Sequence, residues 1–423
     1  MKKSNQTISE LKTLRVGYTP LGWPLKNFPS GIVTYIQNIL LGFDTSINPI
    51  ILAGTLIGNE VEDQIIDLNH FNQNKSLLHK LLFNMLYLTK FPLAKSVLYH
   101  KMVVNTSLKI HNAIQALSAP LDILEMEESF GAATVLMRMN TVPIVTRIHG
   151  PWITIASIMG EENKWDFKYR VYYEGEAIMH AHGVTAPSLD VLDKVKRFYG
   201  AALPNARVIP NPVPAVPANM QWNLHASKKP AILFVGRFDL LKGGDLMLDA
   251  FRYIALKHQE IELLFVGPDK GVKIEGKTLL FNEYLDRFIP EPYIKQRIQF
   301  YGHCDSLVIA HLRRQSLITI VCSRYESFSI SLVEALAAGC PAVATAVGGI
   351  KEIIIDEYNG LLAEPESAIS IAEKVLTLIA NPEKMQKLSK NAIEDCNRRF
   401  APEVIAAQTV DYYKSILASQ VAK

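Results

Sequence analysis

Short apolar segments that alternate with longer helical patterns constrain the fold of this chain more than any other feature. In the first half these segments are 14–18, 49–53, 121–125, 143–149, 183–186 and 207–209; in the second half they are 231–235, 261–266, 297–301, 317–322 and 341–345. Apolar runs without strict alternation are typical of strands buried on both faces. Strands that alternate with helices predict right-handed βαβ units and parallel sheets.

A proline-rich stretch separates the two series. Residues 210–230 contain Pro210, Pro212, Pro214, Pro217 and Pro230 but no glycine, a composition typical of a semi-extended linker. A chain of 423 residues also suits two domains better than one core. We therefore predict a short N-terminal segment (1–13), a first lobe (14–212), a linker (213–229), a second lobe (230–395) and a C-terminal segment (396–423).

Composition excludes several classes of protein. With 49% hydrophobic and 20% charged residues the chain is globular, and a net charge of +3 does not indicate a nucleic-acid partner. Four cysteines without a C-x-x-C pair predict reduced thiols in the cytoplasm, neither a zinc site nor a disulfide framework. The polar N-terminus does not resemble a signal peptide, and no apolar run reaches the roughly 18 residues of a membrane span.

The carboxyl ends of the strands should carry the site. Parallel sheets bind ligands at those ends, so two lobes joined by one linker predict a site in the cleft between them. In the first lobe, Ser30 or Gly31 is the predicted cap of a helix whose first N–H groups would face the cleft and favour an anion. An ordinary βα turn is the alternative.

The segment 234–244, Phe-Val-Gly-Arg-Phe-Asp-Leu-Leu-Lys-Gly-Gly, opens the second lobe. Its strand ends at Val235, and Gly236 permits a tight exit. Arg237 and Lys242 then follow on the loop at the strand's carboxyl end. A planar guanidinium and a compact ammonium suit the two phosphates of a diphosphate leaving group. Two solvated cations near a helix start are the alternative.

A second cluster occupies residues 326–334, Glu-Ser-Phe-Ser-Ile-Ser-Leu-Val-Glu. We predict a loop over 323–329 and a helix from about Ile330, which puts Glu326 on the cleft loop and Glu334 about one turn into the helix. The N–H groups of 327–331 would form a second anion cradle. The structural alternative is that either glutamate only contacts the helix dipole.

Together these motifs resemble the signature of retaining GT-B glycosyltransferases of family 4, also called group 1. The resemblance rests on Gly-Arg-Phe-x4-Lys-Gly at 236–243 and Glu-x7-Glu at 326–334, on the continuation through 353, on Val-Ile-Pro-Asn-Pro-Val at 208–213, and on Arg399-Phe400. It covers most of the chain, more loosely before residue 140. It implies two Rossmann-like doubly wound lobes with an inter-lobe cleft, and a C-terminal helix that packs back on the first lobe.

The resemblance also implies roles for individual residues. Arg237 and Lys242 would neutralise the departing diphosphate, and Glu334 would accept hydrogen bonds from the ribose hydroxyls. Glu326 would hold the donor sugar, and His149 matches the active-site histidine beside that sugar. The remaining donor-binding residues implied by the resemblance are Gly31, Gly236, Gly267, Ser327, Phe328, Ser329, Ile330 and Ser331.

Two positions depart from the family pattern. Ser327 and Ser329 stand where glycines are frequent; if that loop needed a positive φ, serine would be strained there. The first-lobe loop carries Ser30-Gly31 in place of two glycines. Neither departure removes a charged group.

No D-x-D motif occurs in the chain, so we predict no metal ion and no cofactor, with cations acting on the phosphates instead. The implied reaction moves a hexose-type sugar from a UDP- or GDP-sugar to a glycan, lipid-linked or small-molecule acceptor. It would proceed by front-face displacement with retained configuration and electrostatic stabilisation of the leaving group. Synthesis of a cell-surface polysaccharide or glycoconjugate is the expected context.

The acceptor side is less defined. Residues 68–121 contain six lysines and no Asp or Glu, with leucines and aromatics interleaved between 77 and 88. This is the composition of a basic amphipathic helical region, which could rest on an anionic membrane at the inner face; a helical pair packed on the sheet with its lysines in solvent is the alternative. Glu127 and Glu128, just past a strand end, are candidate acceptor contacts.

Other classes of protein remain as alternatives. A nucleotide-sugar epimerase or a phosphorylase could use the same architecture, and so could a catalytically silent partner subunit. The four charged residues of the two clusters argue against the silent subunit. A dinucleotide oxidoreductase is disfavoured because no G-x-G-x-x-G follows the first strand of either lobe.

Overall fold

The computed structural model describes residues 13–57, 64–71, 92–226 and 229–421, which form two α/β lobes. The strands of the first lobe are β1 (Leu14–Tyr18), β2 (Ile47–Ala53), β3 (Ile65–Asp67), β4 (Ile123–Glu127), β5 (Ile144–Arg147), β6 (Gly183–Ala186) and β7 (Ala206–Val208). Its helices are α1 (Gly31–Leu40), α2 (Pro92–Gln115), α3 (Ala133–Met139), α4 (Trp152–Ile155), α5 (Phe167–Met179) and α6 (Leu189–Tyr199).

The second lobe follows a linker that holds one short 3-10 turn, Ala218–Met220. Its strands are β8 (Ala231–Val235), β9 (Glu262–Val266), β10 (Val272–Ile274), β11 (Lys277–Leu279), β12 (Ile298–Gly302), β13 (Ile318–Val321), β14 (Ala342–Thr345) and β15 (Leu361–Ala363). Its helices are α7 (Gly244–Lys257), α8 (Phe281–Phe288), α9 (Pro292–Lys295), α10 (Ser306–Gln315), α11 (Ile330–Ala337), α12 (Ile350–Ile353), α13 (Ala368–Ile379) and α14 (Pro382–Phe400), before α15 (Pro402–Val421).

Both main sheets are parallel and doubly wound, as predicted. The first has the strand order β3-β2-β1-β4-β5-β6-β7 and the second the order β12-β9-β8-β13-β14-β15. The winding reverses between β1 and β4 in one lobe and between β8 and β13 in the other. Because loops at such a switch point diverge and leave a crevice, the loops after β8 and β13 lie side by side at the mouth of the cleft.

Helices cover both faces of the second sheet, and its alternate residues face different helices. Ile232, Phe234 and Phe265 pack in one cluster with residues of α7, α8 and α13. Ala231, Leu233 and Val266 point to the opposite face, where Ile309 and Leu312 of α10 cover them. The second sheet therefore has two distinct faces, an α7 side and an α10 side.

The main strand predictions are confirmed, with shifts of a few residues at the ends. The sequence reading missed β3, β15 and the β10–β11 hairpin. The first two are three-residue strands at sheet edges, too short for a period to show. The hairpin turns at Glu275 and Gly276, whose φ angles are 51° and 78°. Such a pair of positive φ angles is typical of a type I′ turn.

The chain crosses between the lobes twice, at the linker and again at Ala401. The crossings touch, because the N–H of Val213 donates to the carbonyl of Phe400 at 2.8 Å. The predicted C-terminal helix does pack back on the first lobe, where Tyr413 and Ile416 join the core. The predicted start at 396 is wrong: that residue lies inside α14, which packs on α11, and the returning helix begins at Pro402.

Within the ranges given above, no helix is both long and apolar enough to cross a membrane. The leucine-rich part of the predicted membrane-contacting region, 77–88, lies outside the described residues, as does most of the N-terminal segment. The part of 68–121 that is described includes α2, whose Lys95 and Lys101 belong to the basic region.

Candidate active site

The loop between β8 and α7 is shaped by close backbone contacts and one carboxylate. Gly243 has φ 67°, and a Cβ there would lie 2.0 Å from the carbonyl oxygen of Cys322, so only glycine fits. The buried Asp239 accepts from Arg237 Nε at 2.6 Å and from the N–H of Lys242 at 2.7 Å. Asp239, which the sequence reading did not single out, therefore holds both predicted phosphate-binding residues in one turn.

Glycine also determines the backbone conformation next to this loop. Gly267, which follows β9, has φ 143°, and a Cβ there would lie 2.0 Å from the carbonyl oxygen of Gly236. Gly267 therefore permits the close approach of two loops; its predicted contact with the donor remains a prediction. Gly236 is partly exposed at the start of the Arg237 loop.

The two clusters of the second lobe meet through an ion pair. Lys242 Nζ lies 2.5 Å from Glu326 Oε1, and the hydroxyl of Ser323 donates to the same oxygen at 2.8 Å. The Glu326 side chain is 9% exposed and that of Lys242 is 27% exposed. A partly buried pair with an additional hydrogen bond is better fixed than a surface pair, so Glu326 aims the lysine.

Arg324 also links these two loops, and the sequence did not predict this role. Its guanidinium binds the Asp245 carboxylate through two bonds of 2.7 Å and donates to the carbonyl of Leu240 at 2.7 Å. Its N–H donates to the carbonyl of Leu241. A planar fork with several fixed partners is the usual reason for arginine at such a position. An arginine two residues before Glu326 gave no pattern that identified this role.

The helix that begins after the second cluster starts at Ile330, as predicted, with Ser329 as its N-cap residue. Ser329 has φ −95°, and neither it nor Ser327 has a positive φ. The serines in place of glycines are therefore unstrained. Phe328 packs on Phe400 with ring centroids 5.7 Å apart, and the hydroxyls of Ser329 and Ser331 lie 3.4 Å apart.

Glu334 lies in the second turn of α11, on the α10 side of the sheet. Its Oε2 accepts from Arg313 Nη2 at 3.3 Å, and its side chain is 36% exposed while that of Arg313 is only 5% exposed. The arginine orients one oxygen, and the exposed part of the carboxylate stays accessible. This arrangement suits an acceptor of hydrogen bonds from vicinal hydroxyls.

Across the cleft, Gly31 is the first residue of α1 and faces α11. Ser30 caps α1 as predicted, since its hydroxyl accepts from the N–H of Val33 at 3.2 Å. A Cβ built on Gly31 would have one neighbour within 4 Å, the Ile330 Cδ1 atom at 3.9 Å. Two helix N-termini from different lobes thus oppose each other, and both favour an anion between them.

His149 lies just past β5, partly buried, with its ring edge on Tyr35 at a centroid distance of 5.3 Å. Burial lowers the pKa of His149 well below its usual value, and the nearby Arg147 adds to this effect. The imidazole is therefore neutral at neutral pH, when it donates one hydrogen bond and accepts another. A neutral ring suits contact with sugar hydroxyls.

Glu128 supports the histidine loop. It is fully buried, and its two oxygens accept from the N–H groups of His149 and Gly150 at 3.0 and 2.8 Å. This placement contradicts a direct acceptor contact for Glu128, because both oxygens are occupied inside the protein. Glu127 is partly buried, and its buried Oε2 has no hydrogen-bond partner among the described residues.

A buried charged network underlies this region of the first lobe. The fully buried Arg147 donates to Asn211 Oδ1 at 2.8 Å and to the carbonyl of Ile209 at 3.0 Å. Its guanidinium stacks on Tyr35 at 3.9 Å. Tyr35 and Tyr413 each donate to Glu125 at 2.8 Å. The network joins α1, the segment 209–211 just before the linker, and the C-terminal helix α15.

Contacts between the lobes fix the loop 323–329, which precedes α11. Ser188, the cap of α6, donates to the carbonyl oxygen of Ser327 at 2.7 Å. Glu352 of α12 accepts from the N–H groups of Leu189 and Asp190 at 2.8 and 2.9 Å. No cluster of three or more His, Cys, Asp or Glu suited to a metal ion occurs in the described part of the chain; metal independence stays a prediction.

Two parallel, doubly wound lobes that face each other across a cleft define the GT-B fold. Solved structures with this fold cover nearly the whole chain. They include sucrose-phosphate synthase from Thermosynechococcus elongatus (TM-score 0.69, 18% identity, 96% of this chain and 100% of that one). Anabaena HepE in complex with UDP and glucose is another (TM-score 0.64, 17% identity, 95% and 100%).

The family model of the glycosyl transferases group 1 matches residues 216–395, the second lobe with part of the linker. The D-inositol 3-phosphate glycosyltransferase of Xylanimonas cellulosilytica is 26% identical over 257 residues, which are 58% of this chain and 59% of that protein. An uncharacterized glycosyltransferase of Methanocaldococcus jannaschii is 34% identical over 171 residues, 40% of this chain and 44% of that protein. The chain thus spans about half the length of these curated relatives.

Proposed function

We propose that this protein is a retaining glycosyltransferase that takes a hexose-type sugar from a UDP- or GDP-sugar and needs no metal ion. The observation that carries the proposal is the 2.5 Å contact between Lys242 and Glu326, which joins the two signature loops beside Arg237. The names of the relatives agree with this activity, and the UDP bound by HepE makes UDP-sugars the first donors to test.

The residues suggest a sequence of events. The donor would lie with its ribose at Glu334 and its diphosphate between Arg237, Lys242 and the start of α11. The bond from the anomeric carbon to the phosphate oxygen breaks as the bond to the acceptor oxygen forms on the same face. The acceptor's proton passes to the departing phosphate oxygen. Fixed cations stabilise the negative charge that develops there, without reorganisation of solvent.

A donor screen with a stereochemical readout tests the proposal. The protein is incubated with UDP-, GDP- and ADP-sugars, with water as the acceptor of the sugar, and release of the nucleoside diphosphate is measured with and without EDTA. NMR then reports the anomeric configuration of the product. We expect release from one donor, an unchanged rate in EDTA and a retained configuration. A product with inverted configuration would refute the retaining mechanism. Release that requires a divalent ion would refute metal independence.

The same incubation separates the alternatives. An epimerase would convert the donor sugar to its epimer without releasing nucleoside diphosphate. A phosphorylase would need inorganic phosphate to cleave its glycoside. A silent partner subunit would bind no nucleotide, whereas the proposed enzyme should be stabilised by its nucleotide in a thermal-shift assay.

The proposal includes an acceptor that is a glycan, a lipid-linked or a small molecule, and an anionic membrane surface at the cytoplasmic face as a second partner. The support for the membrane is the six lysines and absent acids of 68–121. Flotation with vesicles of anionic and of zwitterionic lipid tests it. Binding to anionic vesicles that 0.5 M salt abolishes is expected for roughly six screened lysine contacts, and equal binding to both would exclude it.

A further inference from the structure

A cavity of about 500 Å³ lies between the lobes on one side of Arg237. The segment after β5 forms its first-lobe wall, with Trp152, Ile155 and Met159. The loops 237–241 and 270–278 form its second-lobe wall. The hairpin β10–β11 reaches the first lobe at this cavity, since Lys273 Nζ donates to the Met159 carbonyl at 3.4 Å. Both lobes therefore line a half-open cavity beside the leaving-group residues.

This cavity and the ribose position predicted at Glu334 lie on different sides of the second sheet. Glu334 belongs to α11 and pairs with α10. The hairpin instead leads into α8, whose Phe281 packs on Phe238 at 5.2 Å in the core cluster of α7. A nucleotide held at α11 would reach Arg237 from the α10 side and leave the cavity empty. The cavity is thus available to the second substrate.

The first-lobe wall of the cavity offers an aromatic surface. The backbone N–H of Trp152 donates to Glu174 at 2.7 Å, which fixes the start of α4. The Arg170 guanidinium stacks over the indole ring of Trp152 at 3.8 Å. An indole ring fixed in this way, beside Ile155 and Met159, suits the apolar face of a sugar or another hydroxylated ring.

The second-lobe wall is cationic. Lys270 and Lys273 line the cavity together with Arg237, against two acids, Asp239 and Glu161. Asp239 is already engaged by its own loop, and Glu161 lies 3.8 Å from Lys273. Lys270 is exposed and forms no salt bridge within the described ranges. A site with more cations than free acids favours an anionic ligand.

We propose that this cavity binds the acceptor, and that the acceptor carries a phosphate or carboxylate group beside a hydroxylated ring. The ring would lie on Trp152, the anionic group at Lys270 and Lys273, and the attacking hydroxyl toward Arg237. The proposal rests on the proposed function, because it assigns the second substrate of that reaction. Lys270 and Lys273 are specificity-determining residues in this assignment.

Ligand-observed NMR with three simple probes tests the proposal in the full-length protein: glucose, glucose 6-phosphate and glucuronic acid. The probes are added with and without saturating UDP. We expect glucose 6-phosphate or glucuronic acid to bind at least about tenfold more tightly than glucose, as charge-assisted hydrogen bonds to two lysines imply. The two anionic probes distinguish a phosphate from a carboxylate acceptor.

The double variant Lys270→Ala/Lys273→Ala should lose this preference while its affinity for UDP stays unchanged. Lys277→Ala is the matched control, since Lys277 is an exposed lysine of the same hairpin outside the cavity wall. Equal binding of all three probes, absence of binding, or a preference that survives the double substitution would overturn the proposal. Binding of UDP, GDP or ADP in the same samples reports on the proposed function separately.

Discussion

The hydroxyl of Ser188 in the first lobe donates a 2.7 Å hydrogen bond to the carbonyl oxygen of Ser327 in the second. Through this contact, a residue of the first lobe holds the loop that precedes α11 in the second lobe. Glu352 keeps the contact in place, because it accepts from the first two N–H groups of the helix that Ser188 caps. Arg399 holds the loop of Glu352 by donating to the Ile353 carbonyl at 3.2 Å. The position of the lobes and the shape of the donor loop are therefore linked.

Replacing Glu352 with alanine should weaken donor binding. The substitution leaves two N–H groups of α6 without their partner, loosens the Ser188–Ser327 contact and removes charge-assisted hydrogen bonds worth about 1.5–3 kcal/mol each. We expect the KM for the donor to rise about tenfold, with a smaller change in kcat. Steady-state kinetics with varied donor measures both. Glu373→Ala, which removes an exposed carboxylate of α13, serves as the control, and an unchanged donor KM in the Glu352 variant would contradict the link.

Replacing Lys242 with alanine should reduce kcat by roughly 10²–10³, the usual effect of losing one charge-stabilising group. The substitution leaves the Glu326 carboxylate, which is 9% exposed, without its cation, so we expect a lower melting temperature and the rates are measured well below it. Single-turnover rates at saturating donor measure the chemical step. Lys257→Ala, at the exposed end of α7, should retain normal turnover. A Lys242 variant as fast as that control would exclude the leaving-group role.

Substitutions of increasing size at Gly31 should block the donor without unfolding the protein. A Cβ at this position has only Ile330 Cδ1 within 4 Å, at 3.9 Å, and the backbone is helical, so alanine should be tolerated. A leucine would extend into the gap between α1 and α11. We expect Gly31→Leu to lose nucleotide-induced thermal stabilisation while its own melting temperature stays within a few degrees, and Gly31→Ala to lie between that variant and wild type. Full stabilisation of the leucine variant by the nucleotide would show that the donor does not lie between these helices.

The sequence was sufficient for the fold because its signals are local and repeated. Buried strands of parallel sheets read as apolar runs, and the prolines of 210–230 mark the linker. Short elements were not predicted because a strand such as Ile65–Asp67 has too few residues to show a hydrophobic period. The start of the returning helix was misplaced because α14 and α15 join through only Ala401; Pro402, at the first helical position, was the signal that marked the start.

Part of the site could be predicted from the sequence for a related reason. Arg237, Lys242, Glu326 and Glu334 occur at fixed spacings near strand ends, so their pattern survives in a single sequence. Asp239 and Ser188 act through contacts that depend on tertiary structure. Asp239 looks like an ordinary turn residue, and Ser188 looks like an ordinary helix cap, which it also is. Glu128 was placed at the right strand end, but a sequence does not tell whether a carboxylate faces the cleft or the backbone of His149.

Replacing Arg147 with methionine should destabilise the first lobe severely. The fully buried guanidinium satisfies Asn211 and the Ile209 carbonyl, and it is the cation beside Glu125, whose pKa burial raises. Removing one partner of a buried charged network typically costs about 3–5 kcal/mol. Chemical denaturation measures the loss. Arg287→Met breaks an exposed ion pair with Glu275 and should cost below about 1 kcal/mol; similar losses in both variants would contradict the structural role of the network.

Glu127 should make the stability of the protein fall as the pH rises from about 5 to 8. Burial raises the pKa of Glu127 to about 8, and the neighbouring Glu128 contributes. The folded protein therefore keeps a proton that the unfolded chain releases near its ordinary pKa of about 4.3. Between these two values the folded state binds more protons, so the free energy of unfolding decreases with increasing pH. Glu127→Gln cannot ionise, and its free energy of unfolding relative to wild type should rise between pH 5 and 8, by on the order of a few kcal/mol.

Urea denaturation at each pH measures this difference between Glu127→Gln and wild type. Glu383→Gln, at an exposed helix start, controls for a general charge effect. If the Glu127 variant and wild type lost stability in parallel across this range, the carboxyl group would already be ionised at pH 5, and another group would have to account for the slope.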